Sequence, residues 1–246
     1  MERGGNSMSG HSKWATIHRK KGLLDQARGK VFQKLAKEIY IAARGTNGDI
    51  DMNPSLRAVV EKAKSNNMPK DNIQKAIDKA VGSGNSENYE AIRYEGYANG
   101  GVAIMIDCLT DNKNRAAMMV RSTLTKHGGN LGTNGSVSYM FKRRGVFEIE
   151  NKFDFDTVMD IAITNDALDV IDNEESYTVY TEPETFLTVK DALESGGINE
   201  FVTSEITFVP DNTIPLDDEK MEKLMGLIDA LEDLDDVQDV YHNAEV

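Results

Sequence analysis

The sequence predicts an α+β protein in which an N-terminal three-helix bundle precedes two α+β domains, the second inserted into the first. Apolar residues recur at three- and four-residue spacing as far as residue 81, which is typical of helices. After a polar linker at 85–88 the pattern changes to strands with helices between them, in the order ββα, ββαββαβ and αβ. Because the closing αβ completes the first ββα, both later domains are predicted to be ferredoxin-like.

Three domains follow from this order of elements. Residues 8–84 form a basic arm plus helical bundle that we predict to bind nucleic acid. Residues 85–134 and 207–246 form an acidic α+β domain, and residues 135–206 form the inserted α+β domain.

Capping residues mark the three helices of the bundle. The first is predicted over 25–44, and Gly45 ends it. Asn53-Pro54 supplies an N-cap and a first-turn proline for the second helix, which runs to about residue 65. The third begins after Pro69 and ends at Gly82.

The elements of the later domains are read from alternation and turn signals. Strands are predicted at 92–97, 102–109, 136–141, 146–150, 167–172, 177–181, 205–209 and 237–242, and helices after Asn112, at 156–165, after Pro183 and at 217–234. The segment Lys142-Arg143-Arg144-Gly145 is predicted to be a turn between two strands, either a hairpin tip that contacts a phosphate through Arg143 or, as is commoner, an exposed polar turn. The Gly-rich loop at 128–135 matches neither the GxGxxG nor the Walker pattern, which favours a connector needing positive φ over a nucleotide cradle.

Charge is divided very unevenly along the chain, whose net charge is −13. Residues 8–84 hold 15 Lys and Arg against 7 Asp and Glu, a net of +8, whereas residues 85–246 hold 12 against 33, a net of −21. Such asymmetry indicates polyanion binding by the basic part. The acidic part would be repelled by phosphate and should face elsewhere.

The stretch from Met8 to Lys37 gathers positive charge around the only Trp of the chain. A Trp among cations can stack on a base while the cations contact phosphate. The alternative is a solvated amphipathic arm in which Trp14 packs as a core anchor. The predicted nucleic-acid contacts are Lys13, Trp14, His18, Arg19, Lys20, Lys21, Arg28, Lys30, Lys34, Lys37, Lys64, Lys70 and Arg143.

We predict a cytoplasmic, monomeric globular protein with no membrane partner. Of its 246 residues 39% are hydrophobic and 28% charged, and no apolar run reaches the ~18 residues of a membrane span. The single Cys108 excludes an internal disulfide and fits a reducing compartment. The seven residues before Met8 are too few for a mitochondrial presequence and indicate an extension or a misassigned start.

The sequence offers no catalytic constellation, so we predict no enzyme, no metal and no cofactor. None of the four His (His11, His18, His127 and His242) pairs with another ligand at metal-binding spacing. The acidic run at 232–236 lacks the EF-hand pattern and indicates a solvated helix end. A metal-dependent nuclease, which would need several carboxylates converging in one cleft, remains an alternative.

Long motifs distributed over the chain carry a family resemblance. They are GHSKWA (10–15), HRK (18–20), RGKVFQKLAKEI (28–39), NNMPKDNIQKAI (66–77), YEGYANGGVAIMIDCLTDNKNR (94–115), GGNLGTNGSVSYMFKRRG (128–145) and LEDLDDVQDVYHN (231–243). On these motifs the chain resembles the YebC/PmpR family, which includes bacterial proteins described as transcriptional regulators and the mitochondrial translational activator of cytochrome oxidase subunit I. The resemblance implies a three-domain architecture, a role in regulating gene expression and no nucleotide requirement.

Two nucleic-acid targets remain open. One reading is a DNA-binding regulator of transcription, and the other is a ribosome-associated translational activator that binds ribosomal or messenger RNA. The short helices lack a clear helix-turn-helix spacing, which counts against reading bases in a major groove. A Trp beside a flexible cationic arm suits irregular RNA better.

Overall fold

The structure, a computed structural model, describes residues 26–82, 88–173 and 175–245. Within these ranges it contains seven α-helices and two four-stranded antiparallel sheets, which confirms the predicted α+β class. None of the helices in the described part of the chain is both long enough and apolar enough to cross a membrane.

The N-terminal bundle consists of α1 (Gln26–Ala43), α2 (Pro54–Ser65) and α3 (Lys70–Val81). Their apolar stripes meet in one buried cluster, which includes Leu35, Ile39, Leu56, Val60, Ile73 and Ile77. As predicted, Asn53 caps α2, because its Oδ1 accepts a hydrogen bond from the Leu56 N–H at 3.1 Å. Its Nδ2 donates to the Ala42 carbonyl at 2.8 Å, which ties the start of α2 to the end of α1.

The first sheet belongs to the acidic part of the chain. Its strands are β1 (Glu90–Tyr97), β2 (Ala103–Thr110), β3 (Asn130–Leu131) and β9 (Val237–His242), in the order β3-β1-β2-β9. The helices α4 (Lys113–Lys126) and α7 (Asp218–Glu232) pack with one face of this sheet in a buried cluster that includes Ile104, Ile106, Leu124, Leu227 and Leu231. Two short strands, β8 (Ile214–Pro215) and β10 (Ala244–Glu245), pair in parallel beside it.

The second sheet is built from one continuous segment of the chain. It contains β4 (Phe141–Glu150), β5 (Ala167–Asp172), β6 (Ser176–Thr181) and β7 (Thr203–Pro210), in the order β5-β6-β4-β7. With α5 (Phe155–Thr164) after β4 and α6 (Phe186–Ser195) after β6, the element order is the βαββαβ of a ferredoxin-like fold. The predicted domain boundary between residues 206 and 207 falls inside β7, whose eight residues all pair with β4. The division into three domains remains a prediction.

The predicted hairpin at residues 142–145 is wrong. These residues lie inside the continuous strand β4, where Arg143 is opposite Phe208 of β7. Gly145 is required by packing and not by a turn, since a Cβ there would overlap Thr181 Oγ1 and lie 2.5 Å from Phe186 Cδ2. The segment predicted as a strand at 136–141 instead contains a 3₁₀ turn, Ser138–Met140, before β4 begins.

A small apolar cluster joins the two sheets. Ala103 and Met105, on the face of the first sheet away from α4 and α7, are buried with Val137 and Phe141, and Phe208 and Tyr241 pack at its side. Arg93 lies on the same face, with its guanidinium carbon 4.3 Å from the centroid of the Phe208 ring. The two sheets are therefore held together by apolar and cation–π contacts.

Candidate nucleic-acid interface

The predicted contact residues are distributed over several parts of the chain. Lys13, Trp14, His18, Arg19, Lys20 and Lys21 lie outside the described residues, and Arg28 lies in α1 at a position whose side chain is also not described. Lys30, Lys34 and Lys37 lie on α1, Lys64 and Lys70 lie at the facing ends of α2 and α3, and Arg143 lies in β4.

Lys30, Lys34 and Lys37 share one face of α1, because they are four and three residues apart. This face is directed at the turn of residues 233–236 between α7 and β9, which we call the acidic turn. Lys30 Nζ lies 2.7 Å from Asp233 Oδ1, and Lys37 Nζ donates to the Asp235 carbonyl at 2.6 Å. Lys34 Nζ reaches the carbonyl of Gln238, just beyond the turn, at 3.4 Å. The structure thus brings these three predicted residues together, but against the acidic turn.

Asp236 anchors the acidic turn to its own domain. Its side chain is only 10% exposed and makes a bidentate ion pair with Arg115 of α4, with oxygen–nitrogen distances of 2.9–3.1 Å. Its carbonyl accepts the Leu109 N–H at 2.8 Å, and Lys37 Nζ lies 3.5 Å from its Oδ1. The prediction of a solvated helix end is therefore wrong for Asp236, which is paired with cations from two directions.

A second set of contacts joins α1 to the segment before β1. The Tyr40 and Tyr89 rings meet edge to face with centroids 5.7 Å apart, and Lys37 Nζ lies 5.6 Å from the centroid of Tyr89. Arg44 donates to Asn88 Oδ1 at 2.7 Å. The helix α1 therefore contacts the acidic domain near both the start and the end of that domain's sequence.

Lys62 of α2 also faces carboxylates. Its Nζ lies 3.0 Å from Glu38 of α1. Burial alone would lower the pKa of Lys62, but the negative charges of Glu38, Asp239 and Glu205 outweigh it and raise that pKa above its usual value. The bundle thus turns a fourth cation toward acidic groups, which the pattern of residues did not indicate.

Lys64 and Lys70 are exposed and flank the connection between α2 and α3. Asn67 in that connection has a φ of 59°, the left-handed conformation that Asn tolerates better than most residues. Arg143 is also exposed but belongs to the second sheet, on a different element from the bundle lysines. The structure thus leaves Lys64 and Lys70 exposed to solvent on either side of the connection between α2 and α3.

The Gly-rich loop surrounds a carboxylate of the protein itself. Glu95, which is 5% exposed, accepts the backbone N–H groups of Gly135, Val137 and Ser138 at 2.7–2.8 Å. Burial raises the pKa of Glu95, but these hydrogen bonds outweigh burial and hold the pKa below its usual value. Gly135 has a φ of 83°, as expected for a connector that needs positive φ. These donors serve an internal anion, a role that the sequence did not indicate.

Cys108, the single cysteine of the chain, is buried. Burial raises the pKa of the Cys108 thiol to about 12. Among the residues described, no three His, Cys, Asp or Glu side chains cluster in a way that could hold a metal ion.

Comparisons with known proteins cover nearly the whole chain. The family model described as the TACO1/YebC protein N-terminal domain matches residues 12–83, and that described as the TACO1/YebC second and third domain matches residues 89–244. A protein of Geobacillus kaustophilus is 52% identical over 241 residues, covering 97% of this chain and 98% of the relative. A protein of Geobacter sulfurreducens is 49% identical over 239 residues, covering 97% and 96%. Both are named probable transcriptional regulatory proteins.

One solved structure extends the similarity to three dimensions. The crystal structure of a conserved hypothetical protein from Aquifex aeolicus matches with a TM-score of 0.76 at 43% identity. The match covers 90% of this chain and 91% of that one.

Proposed function

The chain belongs to the TACO1/YebC family, and we propose that it is a non-enzymatic regulator of gene expression that binds nucleic acid through its basic N-terminal domain. The names of its relatives support the regulatory role. The observation that carries the proposal is the separation of charge, +8 in residues 8–84 against −21 in residues 85–246. Only the basic part can approach a polyanion without net repulsion.

In this proposal the main contacts with nucleic acid come from the basic arm, the segment that carries Lys13 to Arg28. Lys13, Arg19, Lys20, Lys21 and Arg28 contact phosphates and Trp14 stacks on a base. Lys64 and Lys70, which are exposed, add phosphate contacts from the bundle. Arg143 is exposed within β4 of the second sheet, so we assign it only a secondary contact with nucleic acid.

We favour RNA, with the ribosome as its setting, over a specific DNA operator. A helix that reads a major groove presents side chains to base edges along its exposed face. The exposed face of α3 carries Asp71 and Asp78 as well as Lys70 and Lys75, and Gln74 is held by Asp78 at 2.8 Å. These two carboxylates would face the phosphates of a duplex, which weakens the case for base reading. The alternative is a transcriptional regulator that binds DNA.

Replacing Arg19, Lys20 and Lys21 by Ala tests the arm. Each lost phosphate contact should reduce the slope of log K against log salt by about 0.7–0.9, while the melting temperature stays nearly unchanged. The matched control replaces Lys190, Lys220 and Lys223, which carry the same charge on the acidic domains. Equal affinities for the two triple variants would refute the assignment of the arm.

A paired titration at ~150 mM salt separates the two targets, because screening there leaves mainly short-range contacts. We expect binding to structured RNA or ribosomes to persist, and binding to duplex DNA to be weak and nearly independent of sequence. Preference for one operator by about 1,000-fold or more over scrambled duplex, without ribosome association, would establish the DNA reading instead. The same samples should contain intact nucleic acid, since Mg²⁺-dependent cleavage that a chelator abolishes would identify a nuclease.

Cytoplasmic location and the monomeric state remain predictions. Light scattering after gel filtration tests the second, with a mass near 27.2 kDa expected.

A further inference from the structure

We propose that the acidic turn is an internal competitor for nucleic acid, so that a polyanion reaches Lys30, Lys34 and Lys37 only after α1 separates from the turn. The inference rests on the proposed function and adds a regulated second surface to the arm.

The contacts imitate those of a nucleic acid. Lysine ammonium groups bind phosphate as point charges that meet anionic oxygens. Here the three Nζ atoms meet a carboxylate oxygen of Asp233 at 2.7 Å and carbonyl oxygens of Asp235 and Gln238 at 2.6 and 3.4 Å. A row of oxygen acceptors therefore occupies the positions that phosphate oxygens would take along this face.

The turn is held in place without α1. Asp236 is fixed by its bidentate pair with Arg115 and by the hydrogen bond from the Leu109 N–H to its carbonyl. Both partners belong to the acidic domain, on α4 and β2. The turn therefore keeps its shape when α1 departs, and it can rebind the lysines as a preformed surface.

The contact between α1 and the turn is weakly held at Lys30, whereas at its other end the side chains of Lys37 and Asp236 are only 18% and 10% exposed. The side chains of Lys30 and Asp233 are 47% and 72% exposed, so this ion pair is screened and contributes little. Gln238 lies beside the contact, and neither polar atom of its buried side-chain amide has a hydrogen-bond partner among the described residues. An unpaired buried amide costs free energy, and this one lies beside the contact with α1.

The apolar contribution to docking is small as well. The buried cluster of the bundle and that of the first sheet are separate within the described ranges. The aromatic contact nearest to the lysines is the edge-to-face pair of Tyr40 and Tyr89. An interface made mostly of ion pairs and hydrogen bonds opens more readily than an apolar one, and added salt or a competing polyanion weakens its exposed ion pair.

Docking and nucleic-acid binding through this face are then mutually exclusive. The apparent affinity of this face equals its intrinsic affinity multiplied by the fraction of molecules in which α1 is separated from the turn. Because the competitor belongs to the same chain, its effective concentration is high and does not depend on protein concentration. Nucleic acid that first binds the arm would gain the second surface when the turn is displaced.

A reversible lock tests this directly. In the full-length chain, Lys30→Cys and Asp233→Cys are joined by a bis-maleimide with a disulfide in its spacer, while the buried Cys108 stays unreacted. Binding of a fluorescent single-stranded RNA is measured before and after the spacer is reduced. Cleavage should raise affinity and steepen the salt slope by about 1.4, which is ~0.7 for each of Lys34 and Lys37. Identical affinity and slope in the locked and cleaved forms would overturn the inference.

A pair of charge variants tests the inference independently. Asp233→Asn removes the partner of Lys30, and Glu222→Gln removes the same charge from an exposed position on α7. We expect Asp233→Asn to raise RNA affinity up to about fivefold more than Glu222→Gln, the range of one surface ion pair. Equal effects would mean that only net charge matters, against the inference.

Failure of the inference is distinct from failure of the proposed function. If the unmodified protein binds neither RNA nor DNA, the proposed function is refuted. If it binds but the lock has no effect, the arm and the exposed lysines suffice and only the competitor role is refuted.

Discussion

Replacing Glu95 by Gln should destabilise the acidic domain and loosen the Gly-rich loop. The carboxylate accepts three backbone N–H groups, from Gly135, Val137 and Ser138, in a site where Glu95 is 5% exposed. Gln keeps the shape and one oxygen acceptor. Its NH₂ group, however, would face a backbone donor, and its remaining hydrogen bonds would lose the assistance of charge.

The expected loss in the free energy of unfolding follows from the number of backbone donors that Glu95→Gln affects. A hydrogen bond to a charged group contributes about 1.5–3 kcal/mol, and a buried donor left unpaired costs about 1–3 kcal/mol. Since Gln keeps part of the network, we expect a loss of about 2–4 kcal/mol. The control is Glu90→Gln on the same strand, where the carboxylate is 47% exposed and pairs with Lys113, and where a change below about 1 kcal/mol is expected.

The assay is urea unfolding combined with hydrogen exchange at the amides of Gly135, Val137 and Ser138. Urea alone is insufficient because a chain of several domains need not unfold in two states. Faster exchange at these three amides in Glu95→Gln, with little change in Glu90→Gln, would locate the loss. A loss of about 0.5 kcal/mol or less, with unchanged exchange, would refute the assigned role of Glu95.

The pH dependence supplies a second check. Hydrogen bonding keeps the pKa of Glu95 in the folded protein below its usual value, so the charged form binds the loop better than the neutral form. The stabilising contribution is therefore complete above the unfolded pKa of about 4.3 and is lost as pH falls through the lower folded pKa. The stability difference between the native protein and Glu95→Gln should narrow below about pH 4. A constant difference from neutral pH to pH 3 would contradict this.

Two further predictions concern packing. Gly145→Ala should destabilise the second sheet by about 1–3 kcal/mol in urea unfolding, because the added Cβ would overlap Thr181 Oγ1 and crowd Phe186. The control is Gly226→Ala in α7, whose Cβ would meet nothing within 4 Å and which should be neutral or stabilising. Cys108, whose pKa is raised to about 12 by burial, should remain unreactive toward an aromatic disulfide reagent at pH 8 until the chain unfolds, and rapid labelling of the native protein would contradict its burial.

Local signals were sufficient to predict most elements of the fold. The cap at Asn53 and the proline at the first position of α2 fix where that helix begins, whatever it packs against. The turn predicted at 142–145 is wrong because cations followed by Gly are typical of an exposed turn. Its Gly is needed for a contact with Thr181 and Phe186, which are distant in the sequence. A local pattern cannot distinguish these two reasons for a Gly.

The candidate interface was predictable only in part. Helical spacing places Lys30, Lys34 and Lys37 on one face, and the structure has them there. What that face contacts could not be predicted, because Lys30 and Asp233 are 203 residues apart in the sequence. The Glu95 site was missed for a similar reason: its carboxylate and its donors are 40 to 43 residues apart, and the strand pattern gave no sign of them.

The position of the acidic turn bears on which polyanion the protein can accept. Asp233 and Asp235 are exposed beside the lysine face of α1. A rigid duplex that begins to displace the turn must bring its uniform rows of phosphates close to both carboxylates while they still lie beside α1, where screening within a Debye length of about 8 Å is incomplete. A single strand or an RNA loop can instead bend away from these carboxylates while its phosphates meet the lysines. If the competitor proposal holds, displacement of the turn should therefore favour flexible RNA over duplex DNA, and neutralising Asp233 should reduce that preference.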